Sequence, residues 1–206
     1  GQKAEVAWVE EVYELYGDAA AEELDVIPSS GEGAFLSSVL IESRMHDAPV
    51  LRWSCSNEFA TYDDHRRHRD CQDWIEENLA PVITALNPHL THHYGMDFGR
   101  SVDLSVIAPL AIEPNLTRRC PFLIELRNVP FKQQEQILFY LVDRLPRFGK
   151  GANDARGNGQ YLGEKAMQRY GATRIQQVML SESWYREHMP PVKAALEDGT
   201  LDGLPK

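Results

Sequence analysis

The sequence predicts an α/β domain with a mixed sheet, and two observations carry this prediction. Three apolar strand candidates follow one another in the second half of the chain: "YGMDFG", "LSVIAPLAI" and "PFLIELRNV". After them the pattern alternates between helix and strand. Strands joined by short turns pair antiparallel, whereas strands separated by helices usually pair parallel, so we expect a sheet of both kinds.

The first ninety residues are predicted to be mainly helical. A helix is expected over 3–26, because the valines of "AEVAWVEEVYELYG" recur at helical spacing. The segment "IPSSGEGAF" is typical of a loop, "FLSSVLIESRMHD" of a short helix and "PVLRWSCS" of a strand. A long helix is expected over 63–86, kinked or split by Pro81. The segment "NPHLTHH" ends this pattern and predicts a domain boundary near residue 90.

Five strands and three helices are predicted beyond that boundary. The turn "RSVD" joins the first two strands into a hairpin, and "PFLIELRNV" is the third strand. The amphipathic "FKQQEQILFYLVDRL" is a helix, and "GANDARGNG" is a strand that runs into a glycine turn. The helix "QYLGEKAMQRYG" ends at Gly171, "RIQQVML" is the fifth strand, and "WYREHMPPVKAALEDG" is a final helix.

Composition excludes several classes of protein. The chain has 206 residues, 43% of them hydrophobic and 25% charged, which suits a soluble globular protein. No apolar run approaches the roughly 18–20 residues that span a bilayer. A formal net charge of −10 disfavours a general nucleic-acid coat, although metal ions held by carboxylates reverse the local sign. Three widely spaced cysteines suit a reducing compartment, so a cytoplasmic location is predicted.

Two aspartates stand at the ends of strand candidates and are followed by glycine-rich turns. These are Asp97 and Asp154. If their strands are neighbours, the carboxylates repel each other unless a cation lies between them, and oxygen ligands suit Mg²⁺ or Mn²⁺. Two such ions support phosphodiester cleavage. Spacing alone favours the alternative, in which both aspartates serve only the turns.

Other polar residues near these aspartates have two interpretations each. Asp103 is either a further metal ligand or a turn residue, and Glu125 is expected to pair across strands. Arg100, Lys150 and Arg156 could follow a nucleic-acid backbone, with a solvated basic face as the alternative. The histidines lack partners at zinc spacing and indicate surface or packing roles. No phosphate-binding loop occurs, so no nucleotide is predicted for this chain.

Four long motifs resemble the large terminase subunit of Mu-like phages and prophages. These are "GMDFGRSVDLSVIAPL", "LIELRNVPFKQQEQILFYLVDRLPR", "DARGNGQYLGEKAMQRYG" and "QVMLSESWYREHMPPVKAALEDGT". The resemblance implies an RNase H-like nuclease fold in the second half of the chain. It also implies that Asp97 and Asp154 are catalytic metal ligands and that Asp103 supports the metal site.

The resemblance also implies a domain organisation. Residues 1–90 are expected to be a helical connector that follows the packaging ATPase, which is absent from this sequence. Residues 91–206 are expected to be an RNase H-like nuclease domain with a five-stranded sheet. The chain is expected to stop before the helix that carries a third acidic residue in such enzymes. We therefore expect either a fragment or a decayed gene.

The resulting functional hypothesis is an endonuclease region of a phage DNA-packaging terminase. The implied cofactors are Mg²⁺ or Mn²⁺, two ions in the intact enzyme. The implied partners are double-stranded DNA, the portal protein, the small terminase subunit and the ATPase domain of the same polypeptide, with no membrane and in the bacterial cytoplasm. The alternative is a catalytically inactive module that docks other packaging proteins. Another RNase H-like enzyme, such as a resolvase or transposase relative, is disfavoured by the long motifs.

Overall fold

The computed structural model describes residues 35–99 and 104–206. The chain divides into two compact units, Gly1–Glu42 and Ser43–Lys206. Of the first unit only 35–42 is described, and it contains one short helix, α1 (Ser38–Glu42). The helix predicted over 3–26 and the "RSVD" turn, with Arg100 and Asp103, lie outside the described residues.

The second unit contains the sheet and its helices. Its strands are β1 (Met45–His46), β2 (Val50–Ser54), β3 (Thr91–Asp97), β4 (Ser105–Ile112), β5 (Arg118–Arg119), β6 (Leu123–Arg127), β7 (Phe148–Asp154), β8 (Ile175–Val178), β9 (Leu201–Asp202) and β10 (Leu204–Pro205). Its α-helices are α2 (Asp64–Trp74), α3 (Ala80–Thr84), α4 (Phe131–Arg144), α5 (Gly159–Tyr170) and α6 (Glu182–Glu197). A 3₁₀-helix covers Asn57–Thr61, and a π-helical turn, Ile75–Leu79, joins α2 to α3.

The main sheet has the strand order β2-β6-β4-β3-β7-β8, with β5 and β9 attached beside β4. The strands β3, β4 and β6 form an antiparallel meander, whereas β7 joins β3 in parallel and β8 joins β7 in parallel. Both parallel connections run through a helix, as a parallel pair requires. This order, with β3 central and β7 beside it, is that of an RNase H-like fold, and the predicted fold class is confirmed. The sheet has eight strands among the described residues rather than the predicted five, because β2, β5 and β9 join it from segments that the sequence pattern did not assign to it.

One face of the sheet is buried under helices α2 to α5. Alternate residues of β3, β4 and β6 point into this core, among them Tyr94, Met96, Ile107, Ile124 and Leu126. The helices contribute the remaining apolar side chains, which include Ile75, Leu79, Ile137, Leu138, Leu141 and Leu162. The intervening strand residues point to the opposite face. Asp97 is exposed there because strand residues alternate between faces and Met96 lies in the core.

The long helix predicted over 63–86 is present as a continuous run with an irregular turn in its middle. Asp63 caps its start by accepting a hydrogen bond from the Arg66 N–H at 2.9 Å. The π-helical turn lies directly before Pro81. Proline has no N–H and its ring crowds the preceding turn, so a wider turn accommodates it without ending the helix.

The structure differs from the predicted division near residue 90. Strand β2 pairs in parallel with β6, and residues of α2 and the π-helical turn lie in the same core as the meander. Residues 43–90 therefore share one compact unit with 91–206. The local pattern of a segment does not show which distant strand that segment pairs with. The predicted boundary therefore separated segments that belong to one sheet.

The end of the chain returns to the start of this unit. Strand β9 pairs with β5, and β10 pairs with β1. Arg44 donates hydrogen bonds to the carbonyl oxygens of Leu196 and Glu197 at the end of α6, at 2.6 and 3.0 Å. The last residues are thus part of the folded unit. Within the described residues, no helix combines the length and apolar content needed to cross a bilayer.

Candidate metal centre

Asp97 and Asp154 lie at corresponding positions on two neighbouring parallel strands. The register pairs Gly95 with Ala152 and Met96 with Asn153, so Asp97 and Asp154 are the next residues in line. Register neighbours on adjacent strands have backbones about 4.8 Å apart and side chains on the same face. Both carboxylates therefore stand at the same end of one sheet face. Because β3 and β7 are adjacent, no other described strand lies between the two carboxylates.

The two carboxylates differ in exposure. Asp97 is exposed, whereas the side chain of Asp154 is only 9% exposed. Asp154 accepts a hydrogen bond from the backbone N–H of Arg156 at 3.0 Å. The turn that follows β7 therefore fixes the carboxylate of Asp154 directly.

The guanidinium of Arg156 interacts electrostatically with both carboxylates. Its Nε and Nη2 atoms lie 3.3 and 3.4 Å from the two carboxylate oxygens of Asp154. These hydrogen bonds raise the pKa of Arg156, and the charges of Asp154, Tyr185 and Asp97 act in the same direction. The protein thus places a positive charge within reach of both aspartates, which offsets their mutual repulsion.

Gly159 allows helix α5 to begin against the end of β7. A Cβ atom at this position would lie 2.3 Å from the carbonyl oxygen of Asp154 and 3.2 Å from the Cβ of Phe98. No side chain fits in that space, so the glycine is required for this close approach.

The remaining predicted site residues are placed differently. Lys150 points to the same face as Asp154 but lies four residues earlier on β7, about 13 Å away along the strand. Glu125 lies in the same cross-strand row as Asp97, two strands away, and accepts a 2.8 Å hydrogen bond from Arg52 on the neighbouring strand. Arg100 and Asp103 lie outside the described residues. Among residues 35–99 and 104–206, no group of three or more His, Cys, Asp or Glu side chains is arranged to hold a metal ion.

Sequence reasoning missed two buried polar residues behind the carboxylates. Ser105 and Gln134 are fully buried and hydrogen-bond with the backbone of Gly99, two residues after Asp97. A signal for Gln134 was present in the sequence. It lies three and seven residues before Ile137 and Leu141, on the apolar side of α4, where a polar residue is unusual.

The fold and the paired carboxylates together define an RNase H-like α/β domain. Over 200 residues, 95% of its length, the chain is 44% identical to the probable terminase large subunit gp28 of Escherichia phage Mu. It is 38% identical over 190 residues, 92% of its length, to the Mu-like prophage FluMu protein gp28 of Haemophilus influenzae. Over most of its length the chain is therefore similar to the gp28 proteins of phage Mu and of a Mu-like prophage, the first of which is a probable large terminase subunit. It spans just over a third of the length of these relatives, 36% and 37%.

Solved structures similar to the chain include the large terminase nuclease of the thermophilic phage G20c. The form with bound magnesium has a TM-score of 0.47 and 18% sequence identity, and the match covers 57% of this chain and 60% of that one. A second structure of the same nuclease has a TM-score of 0.42 and 19% identity. No protein-family model matches the chain.

Proposed function

We propose that this chain is the nuclease region of a phage DNA-packaging terminase, which cuts double-stranded DNA by metal-dependent hydrolysis. The observation that carries the proposal is the placement of Asp97 and Asp154 at corresponding positions on adjacent strands. Its homology to the large terminase subunits of Mu-like phages supports the packaging role. Asp97 and Asp154 are the proposed catalytic residues.

The donor set fits Mg²⁺ or Mn²⁺. Both ions prefer oxygen ligands and bind through one or two carboxylates, with water and phosphate oxygens completing their coordination. Arg156 hydrogen-bonds with Asp154, and the charge of Asp97 also raises the pKa of Arg156, which supports a site that attracts cations. Asp103, which follows β3 in the hairpin, is the proposed supporting ligand, and the proposal includes two ions in the intact enzyme.

The residues of the chain have distinct proposed roles. Asp97 and Asp154 hold the cations. Because both aspartates lie on a rigid sheet, the two cations stay at a fixed distance from each other. Arg100, Lys150 and Arg156 contact phosphates of the DNA backbone, and they position the duplex without reading its sequence. When bound, a divalent ion lowers the pKa of water and stabilises negative charge on phosphate oxygens.

The proposed partners follow from the homology. They are double-stranded DNA, the ATPase domain of the same polypeptide, the portal protein and the small terminase subunit, in the cytoplasm of the bacterial host. A second candidate function is a docking module of the packaging machinery that does not cut DNA. The lack of a third acidic ligand among the described residues favours this alternative.

Nicking of supercoiled plasmid at increasing Mn²⁺ concentration tests the proposal. Wild type is expected to nick, and Asp97→Asn and Asp154→Asn are expected to fall to background because each loses a metal ligand. Glu125→Gln is the matched control, since Glu125 shares the cross-strand row but pairs with Arg52. It should retain wild-type cleavage.

Two results would contradict the proposal. Cleavage that persists in Asp97→Asn would mean that the site is elsewhere. Absence of cleavage in the wild type, together with no rise in melting temperature on adding Mn²⁺, would favour the docking module.

A further inference from the structure

We propose that Gln134 and Ser105 are positioning residues that set Asp97 for metal binding by holding the backbone of Gly99. This inference rests on the proposed function, because it assigns these residues to the same metal centre. Neither side chain contacts Asp97 directly. They act on the chain segment two residues beyond it, where β3 leaves the sheet.

Gln134, Ser105 and Gly99 form a closed set of hydrogen bonds. The Gly99 N–H donates to Ser105 Oγ at 3.0 Å, and Gln134 Nε2 donates to the Gly99 carbonyl oxygen at 3.2 Å. Ser105 Oγ lies 2.7 Å from Gln134 Oε1 and 2.5 Å from the Gly99 oxygen. Both backbone polar groups of Gly99 therefore have side-chain partners.

We call this closed set of hydrogen bonds the ring around Gly99. The number of available donor protons determines the direction of each hydrogen bond in it. Ser105 has one hydroxyl proton, so at any moment it donates either to Gln134 or to Gly99. The Gly99 oxygen already receives a proton from Gln134, whereas Gln134 Oε1 has Ser105 as its partner. Gln134 Nε2 uses its second proton on the Val129 carbonyl oxygen at 2.9 Å. With Ser105 donating to Gln134, every proton in the ring has an acceptor.

Helix α4 also holds the residue between Asp97 and Gly99. The Phe98 ring stacks on the Phe131 ring, with 5.2 Å between their centroids and 16° between their planes. Phe131 precedes Gln134 by three residues, so both side chains project from one side of the first turn of α4. On the other side, Asp97 is paired with Val106, which adjoins Ser105. Asp97, Phe98 and Gly99 are thus each attached to α4 or β4.

Burial alone does not explain this arrangement. Gln133 and Gln134 are neighbours with side chains 2% and 0% exposed, yet Gln133 Oε1 has no hydrogen-bond partner. Burying a polar side chain is costly unless its groups are paired. Gln134 is paired fully, and two of its partners, Ser105 and Gly99, adjoin the segment that carries Asp97. We conclude that the ring holds Asp97 in the orientation that a bound cation requires, as outer residues do for metal ligands in general.

The test compares two adjacent glutamines by Mn²⁺ affinity measured without DNA. Gln134→Met keeps the length of the side chain and removes the ring, whereas Gln133→Met makes the same change beside it. Calorimetric titration with Mn²⁺ is expected to show about tenfold weaker binding for Gln134→Met, since loss of outer partners lowers metal affinity by about 10–100-fold. Gln133→Met is expected to bind as the wild type does. Urea unfolding of each variant establishes that the titrated protein is folded.

Ser105→Ala provides a second test in case Gln134→Met does not fold. It should weaken Mn²⁺ binding as well. If both fold, their double variant should lose less affinity than the sum of the two single losses, because the residues share one ring. Gln133→Met combined with Ser105→Ala should be additive.

The outcomes separate this inference from the proposed function. If the wild type binds Mn²⁺ and Gln134→Met and Ser105→Ala bind it equally well, the positioning role is wrong and the metal centre stands. If the wild type does not bind Mn²⁺, the metal centre itself is wrong, and the positioning role falls with it.

Discussion

The two aspartates of the candidate metal centre reach the same edge of the sheet by different means. Asp97 ends a strand that turns back into a hairpin, and buried side-chain hydrogen bonds hold the chain just beyond it. Asp154 ends a strand that continues into a helix, and close backbone contacts hold it. The support of Asp97 depends on buried polar groups that must all be hydrogen-bonded. The support of Asp154 depends on a close contact that leaves no room for side-chain atoms.

The difference follows from how each strand is continued. A hairpin leaves the backbone groups of its turn without helical partners, so side chains from elsewhere must supply the hydrogen bonds. A strand that leads into a helix places its last carbonyl group against the first turn of that helix, where only a glycine fits. The two supports meet at Gly159, which lies against both Asp154 and Phe98.

The two strands are also joined to each other below the carboxylates. The Tyr94 ring of β3 lies over Gly151 of β7, and Asn153 Nδ2 donates to the Tyr94 hydroxyl at 3.1 Å. Burial raises the pKa of Tyr94 to about 12, so its hydroxyl stays protonated at neutral pH. This contact packs the two strands that carry Asp97 and Asp154 together on the buried face of the sheet.

Gly151→Ala is expected to have the largest effect, because it separates the two strands. The added Cβ would lie 2.1 Å from the Tyr94 ring, and that ring is 3% exposed and stacked on Phe148. We expect a loss of about 3 kcal/mol in the free energy of unfolding, the upper range for overpacking a core. Urea unfolding measures it.

Gly95→Ala is the matched control on the partner strand. A Cβ at Gly95 meets no atom within 4 Å. Replacing a strand glycine with alanine should then stabilise the protein by about 0.5–1 kcal/mol. Equal effects of the two substitutions would show that the Tyr94 ring does not exclude a side chain at position 151.

Gly159→Ala is expected to have the next largest effect, and it acts mainly on the support of Asp154, where the contact is tightest. The new Cβ would collide with the Asp154 carbonyl oxygen, so helix α5 or the end of β7 must shift. We expect a loss of about 1–3 kcal/mol in the free energy of unfolding, together with weaker Mn²⁺ binding.

Gly163→Ala controls for the change in helix propensity. It lies one turn later on α5, where a Cβ would be 3.1 Å from the side chain of Gln177. A side chain yields more easily than a backbone carbonyl, and alanine favours the helix by about 1 kcal/mol. The net change in unfolding free energy should be small. If Gly159→Ala were as stable as Gly163→Ala, the close approach at Asp154 would not be required.

The fold was predictable where structure is local. The meander, helix α4 and the helices and strands that follow have clear periodicity, and the paired aspartates stand at their ends. Strand β3 was predicted too short because His92 and His93 resemble loop residues. His92 is buried, and its Nδ1 donates to the Leu90 and Pro146 carbonyl oxygens at 3.1 and 2.9 Å. The hydrogen bond with the distant Pro146 carbonyl cannot be recognised from the neighbours of His92 in the sequence.

Contacts between distant segments account for the rest of what was missed. The pairing of β2 with β6 joins residues 73 positions apart, and the ring around Gly99 depends on Gln134, which follows Ser105 by 29 positions and Gly99 by 35. Local propensity contains no information on such pairings. The aspartate pair was predicted only with the help of the resemblance, because spacing alone favoured turn roles for both residues. The position of Arg156 near both carboxylates, by contrast, could not be predicted, because it depends on the geometry of the turn after β7.

Arg156→Gln is expected to have the smallest effect and to distinguish the two aspartates most finely. In the free protein the Arg156 guanidinium neutralises Asp154 and lies within electrostatic reach of Asp97, where it competes with a metal cation. Its removal should therefore tighten Mn²⁺ binding in the absence of DNA by a few-fold. The same change should weaken DNA binding and lower its salt dependence by about one phosphate contact.

Arg186→Gln is the control, because Arg186 is exposed and pairs only with Glu182 one turn away on α6. If Arg156→Gln weakened Mn²⁺ binding, the guanidinium would be a support of Asp154 rather than a competitor of the ion, and both aspartates would then depend on side-chain hydrogen bonds.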